Sequence, residues 1–228
     1  MAIARFSNQA ATAPSRPQVR DGVRPARWLR GGPDGNEQLT AVTGAVLLVL
    51  LGALGLTILF IGQLISEHLF LGLLLLGPIA LKMASTGYRF VRYYARDREY
   101  VRRGPPELWL RLLAPAVILT TVGVFATGVW LMIVGPDHRD PALLLHKATF
   151  ILWLGAMGLH VLGHIVQMPG ALRARSLDGT GLGTHQAGAA GRTLVVVGAI
   201  VAGVVLAIAL IPEFSTWTAH MPVGHEGG

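Results

Sequence analysis

The chain has 228 residues, of which 52 % are hydrophobic and only 14 % are charged, with a formal net charge of +7. A soluble domain normally has about a quarter of its residues charged, so this composition argues against a soluble protein and predicts an integral membrane protein. The absence of cysteine excludes disulfides, thiolate metal sites and cofactor attachment through Cys-x-x-Cys-His. The positive charge does not indicate a nucleic-acid partner, because basic residues of membrane proteins collect in cytoplasmic loops.

Residues 1–39 form a polar, basic segment ahead of the first apolar run. They include several prolines and glycines and six arginines. Such a segment buries too little apolar surface to fold alone, so we predict a disordered arm on the cytoplasmic side of the membrane. Contact of its arginines with an anionic lipid surface is an alternative role.

Five apolar runs follow, and each approaches or exceeds the roughly 20 residues that cross a bilayer core about 30 Å thick. They predict helices over about 41–65, 68–91, 108–134, 142–168 and 193–211. The predicted fold class is therefore all-α, an integral membrane helical bundle of five transmembrane helices at residues 40–212. A flexible extracytoplasmic tail is predicted at 213–228. The links after the first and third runs are short, so the helices that they join lie antiparallel and adjacent.

Lysine and arginine are distributed unequally between the two sides of this bundle. The arm has six, residues 89–111 have seven and residues 169–192 have three. The opposite side has only Arg139, with Lys147 just inside the fourth helix. Because cytoplasmic loops collect positive charge, we predict a cytoplasmic N-terminus and a multi-pass protein of the cell (cytoplasmic) membrane. The second and fourth helices then both run from outside to inside.

Four ionisable side chains occupy matched depths on these two parallel helices. His68 begins the second helix and His146 lies early in the fourth, so both are near the outer face. Fourteen residues further along each helix come Lys82 and His160. A step of fourteen residues returns to within about 40° of the same helix face, about 21 Å along the axis. The sequence therefore predicts an outer pair, His68 with His146, and an inner pair, Lys82 with His160.

The frames "HLFLGLLLLGPIALK" (68–82) and "HKATFILWLGAMGLH" (146–160) resemble those of the transmembrane di-haem b-type cytochromes. Members of that family hold haem between histidines spaced by about fourteen residues on two parallel helices. The resemblance covers the second to fourth helices. It implies that His68 and His146 are the axial ligands of a haem b, and that His160 is a ligand of a second, inner haem. The departure is Lys82, which stands where the family has its fourth histidine.

The resemblance also implies a function in electron transfer. A membrane-bound b-type cytochrome would carry electrons between an extracytoplasmic redox partner and quinone or another membrane redox component. It would be an electron-transfer subunit of an oxidoreductase rather than a self-contained enzyme, because the chain has no recognisable nucleotide, flavin or molybdenum motif.

Several interpretations of the inner level stay open. Lys82 is a neutral amine ligand, a charged partner of a haem propionate, or a side chain that extends toward the cytoplasmic interface with no cofactor. His164, one turn beyond His160, is an alternative inner ligand. Arg89 is a candidate partner for a propionate. It belongs to "YRFVRYYARDREYVRRGPP" (88–106), which we interpret first as a basic, tyrosine-rich anchor at the cytoplasmic interface.

Two functions of other classes compete with the cytochrome. Lys82, His160 and His164 are ionisable groups within spans, and such groups also line the paths of transporters and proton relays. The sequence shows no inverted repeat in support of a transporter. A non-catalytic membrane scaffold, in which the histidines only form hydrogen bonds between helices, is the other alternative.

Overall fold

The computed structural model of the protein describes residues 32–102, 104, 108–177 and 189–219. Within these ranges the secondary structure is entirely helical, which confirms the predicted all-α class. The helices are α1 (Gly32–Leu59), α2 (Ile65–Tyr94), α3 (Arg98–Arg102), α4 (Leu108–Val134), α5 (Asp140–Leu177), α6 (Ala189–Ala209) and α7 (Ile211–Ala219), and a short 3₁₀ helix, Pro136–His138, lies between α4 and α5.

Five of these helices, α1, α2, α4, α5 and α6, are long and apolar enough to cross a membrane, as predicted. The structure differs from the prediction at the N-terminal boundary. Helix α1 begins at Gly32, so residues 32–39 of the predicted arm belong to the first helix. Residues 1–31 of that arm lie outside the described ranges.

The predicted flexible tail is wrong for residues 213–219. These residues belong to α7, which places Phe214 and Trp217 three residues apart on one face, and both side chains are buried. The indole nitrogen of Trp217 donates to the carbonyl of Met132 at 3.5 Å, in the last turn of α4, where carbonyls lack intrahelical partners. Phe214 joins a core cluster with Leu73, Met132 and Ala207. Residues 220–228 lie outside the described ranges.

The packing is that of a protein surrounded by hydrocarbon. Large apolar side chains are exposed along all five long helices, with Val49, Leu112 and Ile133 more than 70 % exposed. The buried polar side chains are hydroxyls, and each donates to a carbonyl three or four residues earlier in its own helix; they are Thr43, Thr57, Ser85 and Thr121. Each of these hydroxyl donors therefore has a hydrogen-bond partner in a region without water.

Helices α2 and α6 approach each other to backbone contact at two glycines. A methyl group on Gly77 would lie 2.0 Å from the carbonyl oxygen of Ala199, and one on Gly203 would lie 2.0 Å from that of Leu74. Pro78 has no amide hydrogen, so the carbonyl of Leu74 lacks its usual intrahelical donor. The backbone of Gly203 lies against this carbonyl, where a weak Cα–H···O contact can partly replace that donor.

The helices fall into two packed groups. Helix α2 packs extensively on α1 and α6, whereas α5 packs extensively on α4. Gly135, with φ of 74°, ends α4 and allows the tight link to α5. Direct backbone packing between α2 and α5 is slight at most among the described residues. The two helices predicted to carry the histidines therefore belong to different groups.

Candidate functional site

The structure places the two histidines of the predicted outer pair within electrostatic range of each other. His68 lies in the first turn of α2 and His146 in the second turn of α5, and both side chains are half-buried. The two rings are near enough for a charge on one to act on the other. Since α2 and α5 are not packed closely, the two imidazoles come from different helix groups.

A hydroxyl of α1 fixes which nitrogen of His68 carries the proton. His68 Nδ1 lies 2.8 Å from Thr57 Oγ1, and Thr57 donates its single hydroxyl proton to the carbonyl of Leu54 at 2.6 Å. While Thr57 donates to Leu54, the contact with His68 has Nδ1–H as its donor. A neutral imidazole with its proton on Nδ1 has an unshared electron pair on Nε2, which is the form that binds a metal.

His146 is held in the same tautomer by α4. Its Nδ1 lies 3.1 Å from the carbonyl of Val124, and a carbonyl can only accept, so Nδ1 again carries the proton. The hydroxyl of Thr127 lies 3.3 Å from the same nitrogen. Gly128 makes room for the ring, because a methyl group there would lie 3.0 Å from His146 Cε1. Nε2 of each outer histidine makes no hydrogen bond with the described residues and is available to a ligand.

An apolar cluster lies beside the outer pair. Leu69 and Phe70, which follow His68 directly in α2, pack against the core cluster that contains Phe214 of α7. Trp217 of the same helix is also buried. Apolar side chains of α2 and α7 therefore pack near the end of α2 that carries His68.

The inner pair is arranged differently, because Lys82 is held by α1. Its Nζ donates to the carbonyl of Thr40 at 2.6 Å, and a methyl group on Gly44 would lie 3.0 Å from that nitrogen. Thr40 donates to Ser85 at 3.1 Å, and Asn36 to the carbonyl of Ser85, also at 3.1 Å. Lys82 remains near enough to His160 and His164 to act on them electrostatically.

His160 lacks the acceptor that orients each outer histidine. Its side chain is half-buried, and its Nδ1 is buried with no hydrogen-bond partner within the described part of the chain. The ring of His164 lies edge-on to that of His160, with centroids 4.7 Å apart and planes at 74°. His164 itself is exposed. Arg89 is half-buried in the last part of α2, seven residues beyond Lys82.

The donor set of the outer level is two imidazoles from separate helices, which suits a haem better than a metal held by protein alone. A haem would take these two ligands from the protein and its remaining ligands from its own macrocycle. Among the described residues there is no group of three or more histidine and carboxylate side chains that could hold a metal ion. The inner level offers no equivalent pair of oriented imidazoles.

The sequence prediction named the histidines but missed the groups that orient them. Thr57 and His68 lie at equal distances on either side of the midpoint between Gly62 and Gln63. Thr127 and His146 likewise lie at equal distances on either side of a point in the link between α4 and α5. Residues at equal distances from the link face each other in an antiparallel hairpin of helices. The sequence therefore contained a sign of these contacts, namely a threonine at the position that faces each histidine.

Comparisons of the chain with protein-family models, with curated proteins and with solved structures found no match, so the arrangement of these side chains is the basis for assigning a function.

Proposed function

We propose that the chain is a membrane-bound b-type cytochrome that holds one haem b between His68 and His146. The observation that carries this proposal is the shared state of the two rings. Each donates its Nδ1 proton to an acceptor on the neighbouring helix, Thr57 or Val124, and each keeps Nε2 free. A neutral imidazole with its proton on Nδ1 is the form in which Nε2 can bind a metal, and the two rings share it.

The protein side chains orient and tune the site. Acceptors at Nδ1 fix the ring orientation and raise the basicity of Nε2. The apolar side chains of Phe70 and Phe214 pack in the same cluster and would lower the dielectric beside the site. Haem supplies the one-electron chemistry, and the protein sets its potential.

The arrangement of the inner level gives no support for a second haem, so we propose one haem per chain. Lys82 donates to Thr40 on α1, and His160 has no acceptor at Nδ1 within the described ranges. The two levels are about 21 Å apart along the helices, so one outer haem serves partners at one membrane face. With the N-terminus in the cytoplasm, that face is extracytoplasmic. Electrons then pass between an extracytoplasmic redox protein and quinone or another membrane component, in keeping with an electron-transfer subunit.

Absorption spectroscopy tests the proposal directly. The full-length protein, produced with a haem supply and purified in detergent, is expected to show a Soret band and a sharp α band after reduction with dithionite. The pyridine haemochrome is expected to give one haem per chain. A colourless, fully inserted protein would refute the cytochrome. Two haems per chain would refute the assignment of a single site.

One observation favours a second candidate function, a proton relay or transporter. The unpartnered Nδ1 of His160 lies near His164 and Lys82, and ionisable groups within spans mark such paths. In proteoliposomes with an internal pH dye, proton flux that Lys82→Met abolishes would favour this function. Flux that equals that of empty vesicles would exclude it.

A further inference from the structure

A basic, aromatic groove lies where α2 leaves its span. Tyr94 is the last residue of that span, and the chain then turns at Arg96, whose φ of 59° is rare for a residue other than glycine. Asp97 N–H bonds back to the carbonyl of Arg92, and Arg96 N–H to that of Tyr93, both at 3.1 Å. This hydrogen-bonded corner places α3 beside the end of α2.

The groove has a volume of about 480 Å³ and is lined by Tyr93, Tyr94, Arg96, Arg98, Val101 and Arg102. Volumes of this order suit small ligands. Arg98, Val101 and Arg102 share one face of α3, at the spacing of one helical turn. Tyr100 lies on another face and packs against Tyr88, with ring centroids 6.1 Å apart.

Among the described residues, three basic side chains and no acidic one line the groove. Asp97 forms an ion pair with Arg92 at 2.5 Å and accepts the amide of Glu99 at 3.0 Å. Neither Asp97 nor Glu99 lines the groove. Arg96, Arg98 and Arg102 make no side-chain hydrogen bond or ion pair with the described residues. Three arginines line one cleft, and a guanidinium group matches the geometry of an oxyanion such as phosphate.

The surface below the groove points to a lipid as the source of that oxyanion. Phe90, Val91 and Tyr94 are exposed on the adjoining end of the span, and the Phe90 and Tyr94 rings lie 4.4 Å apart. Apolar side chains on the membrane side and guanidinium groups at the membrane surface match the two parts of a phospholipid. We propose that this groove binds the phosphate headgroup of an anionic phospholipid, with its acyl chains along Phe90 and Tyr94.

Native mass spectrometry of the full-length protein in detergent tests this site. The chain is titrated with phosphatidylglycerol, with phosphatidylcholine of the same acyl chains as the zwitterionic reference. Wild type is expected to prefer phosphatidylglycerol, and Arg98→Gln with Arg102→Gln is expected to weaken its binding about thirtyfold. The matched control, Arg139→Gln with Lys147→Gln, removes two exposed charges elsewhere and is expected to keep the wild-type affinity.

The remaining outcomes overturn the proposal. If the groove variant kept the preference for phosphatidylglycerol, Arg98 and Arg102 would be excluded as its source. Equal losses of affinity in the groove variant and in the control variant would show a general effect of charge. Displacement of phosphatidylglycerol by inorganic phosphate at equal concentration would show a site for the free anion. Val101→Asp, which places a carboxylate in the groove and retains every arginine, is expected to reproduce the loss. It serves as the second variant if the double substitution does not fold.

Discussion

The imidazole of His68 donates from Nδ1 to the hydroxyl of Thr57 at 2.8 Å, and both residues lie close to the link between α1 and α2. The imidazole of His146 donates in the same way to the Val124 carbonyl, within the hairpin of α4 and α5. Each helical hairpin therefore contributes one histidine and the acceptor that orients it. The two proposed haem ligands are therefore oriented in separate hairpins, and a haem between the hairpins would be bound by both.

Loss of either outer histidine is expected to abolish haem binding. His68→Ala or His146→Ala leaves a single axial imidazole, so the purified chain should lose its Soret band and its pyridine haemochrome signal. His138→Ala, an exposed histidine in the 3₁₀ helix, is the control and should retain the haem. Lys82→Met should also retain it, because Lys82 donates to Thr40. Full haem content in both outer variants would refute the ligand assignment.

Removal of the Thr57 hydroxyl is expected to weaken the site without removing a ligand. Thr57→Val keeps the side-chain shape but leaves His68 Nδ1–H without its acceptor. Loss of such a partner typically costs about 10- to 100-fold in metal affinity. The less basic imidazole should also raise the reduction potential, because it stabilises the ferric state less. Thr57→Ser should restore both values. A redox titration and a haem-transfer assay measure them, and identical results for Val and Ser would contradict the orienting role.

Two glycines of α4 provide a matched test of the space around His146. A methyl group on Gly128 would lie 3.0 Å from His146 Cε1, so the ring must move by a few tenths of an ångström. A methyl group on Gly123 would meet Thr149 Cγ2 at 3.6 Å, an ordinary contact. Gly128→Ala is expected to broaden the reduced α band and shift the electron paramagnetic resonance signal. Gly123→Ala should leave both unchanged, and the reverse pattern would refute the placement of the ring.

Gly203→Ala is expected to destabilise the bundle by separating α2 and α6. The new methyl group would lie 2.0 Å from the Leu74 carbonyl oxygen, and overpacking costs about 1–3 kcal/mol or more. This exceeds the gain of up to about 1 kcal/mol in helix propensity from Gly to Ala. Gly198→Ala, with nothing within 4 Å, should be neutral or stabilising. Unfolding midpoints followed by circular dichroism in detergent compare them, and equal midpoints would argue against the close approach.

The corner between α2 and α3 is expected to lose stability at alkaline pH. Burial raises the pKa of Tyr100, and the nearby Tyr88 adds to this, while Arg92 opposes it. The folded corner therefore favours the protonated phenol. Its contribution to stability is full below the unfolded value of about 10 and is lost as the pH rises through the higher folded value. Tyr100→Phe should remove this dependence. Tryptic cleavage at Arg96 and Arg98 against pH measures it, and a dependence that persists in Tyr100→Phe would exclude Tyr100 as its source.

The sequence was sufficient for the five long helices, because apolar runs of that length have few other conformations in a bilayer. It also predicted that His68 and His146 share a depth, since the topology and the helical rise fix depth, and the structure places the two within electrostatic range of each other. It did not predict that Lys82 is held by Thr40, because either neighbour of α2 was an available partner for a long, flexible side chain. The partner of Lys82 depends on which helices are in contact, and the periodicity of apolar residues in the sequence does not show those contacts.

The C-terminal end of the bundle shows a second limit. Residues 211–219 contain proline, glutamate and hydroxyl side chains, so their average composition is typical of a tail. Their structure depends on Phe214 and Trp217, which bury only when α2, α4 and α6 are already assembled. When a helix is stabilised by tertiary contacts, its local sequence gives little indication that it will form.

The division of the chain into two helix groups has a consequence for its biogenesis. The hairpin of α4 and α5 contacts the other helices at few places, including the meeting of Met132 with Leu73 and Trp217. A ring ligated from both groups would join them, so loading of the cofactor and completion of the tertiary structure become a single event. Chains that lack it would keep a separable hairpin that membrane proteases can engage. The cellular supply of haem would then set how much of the finished protein accumulates.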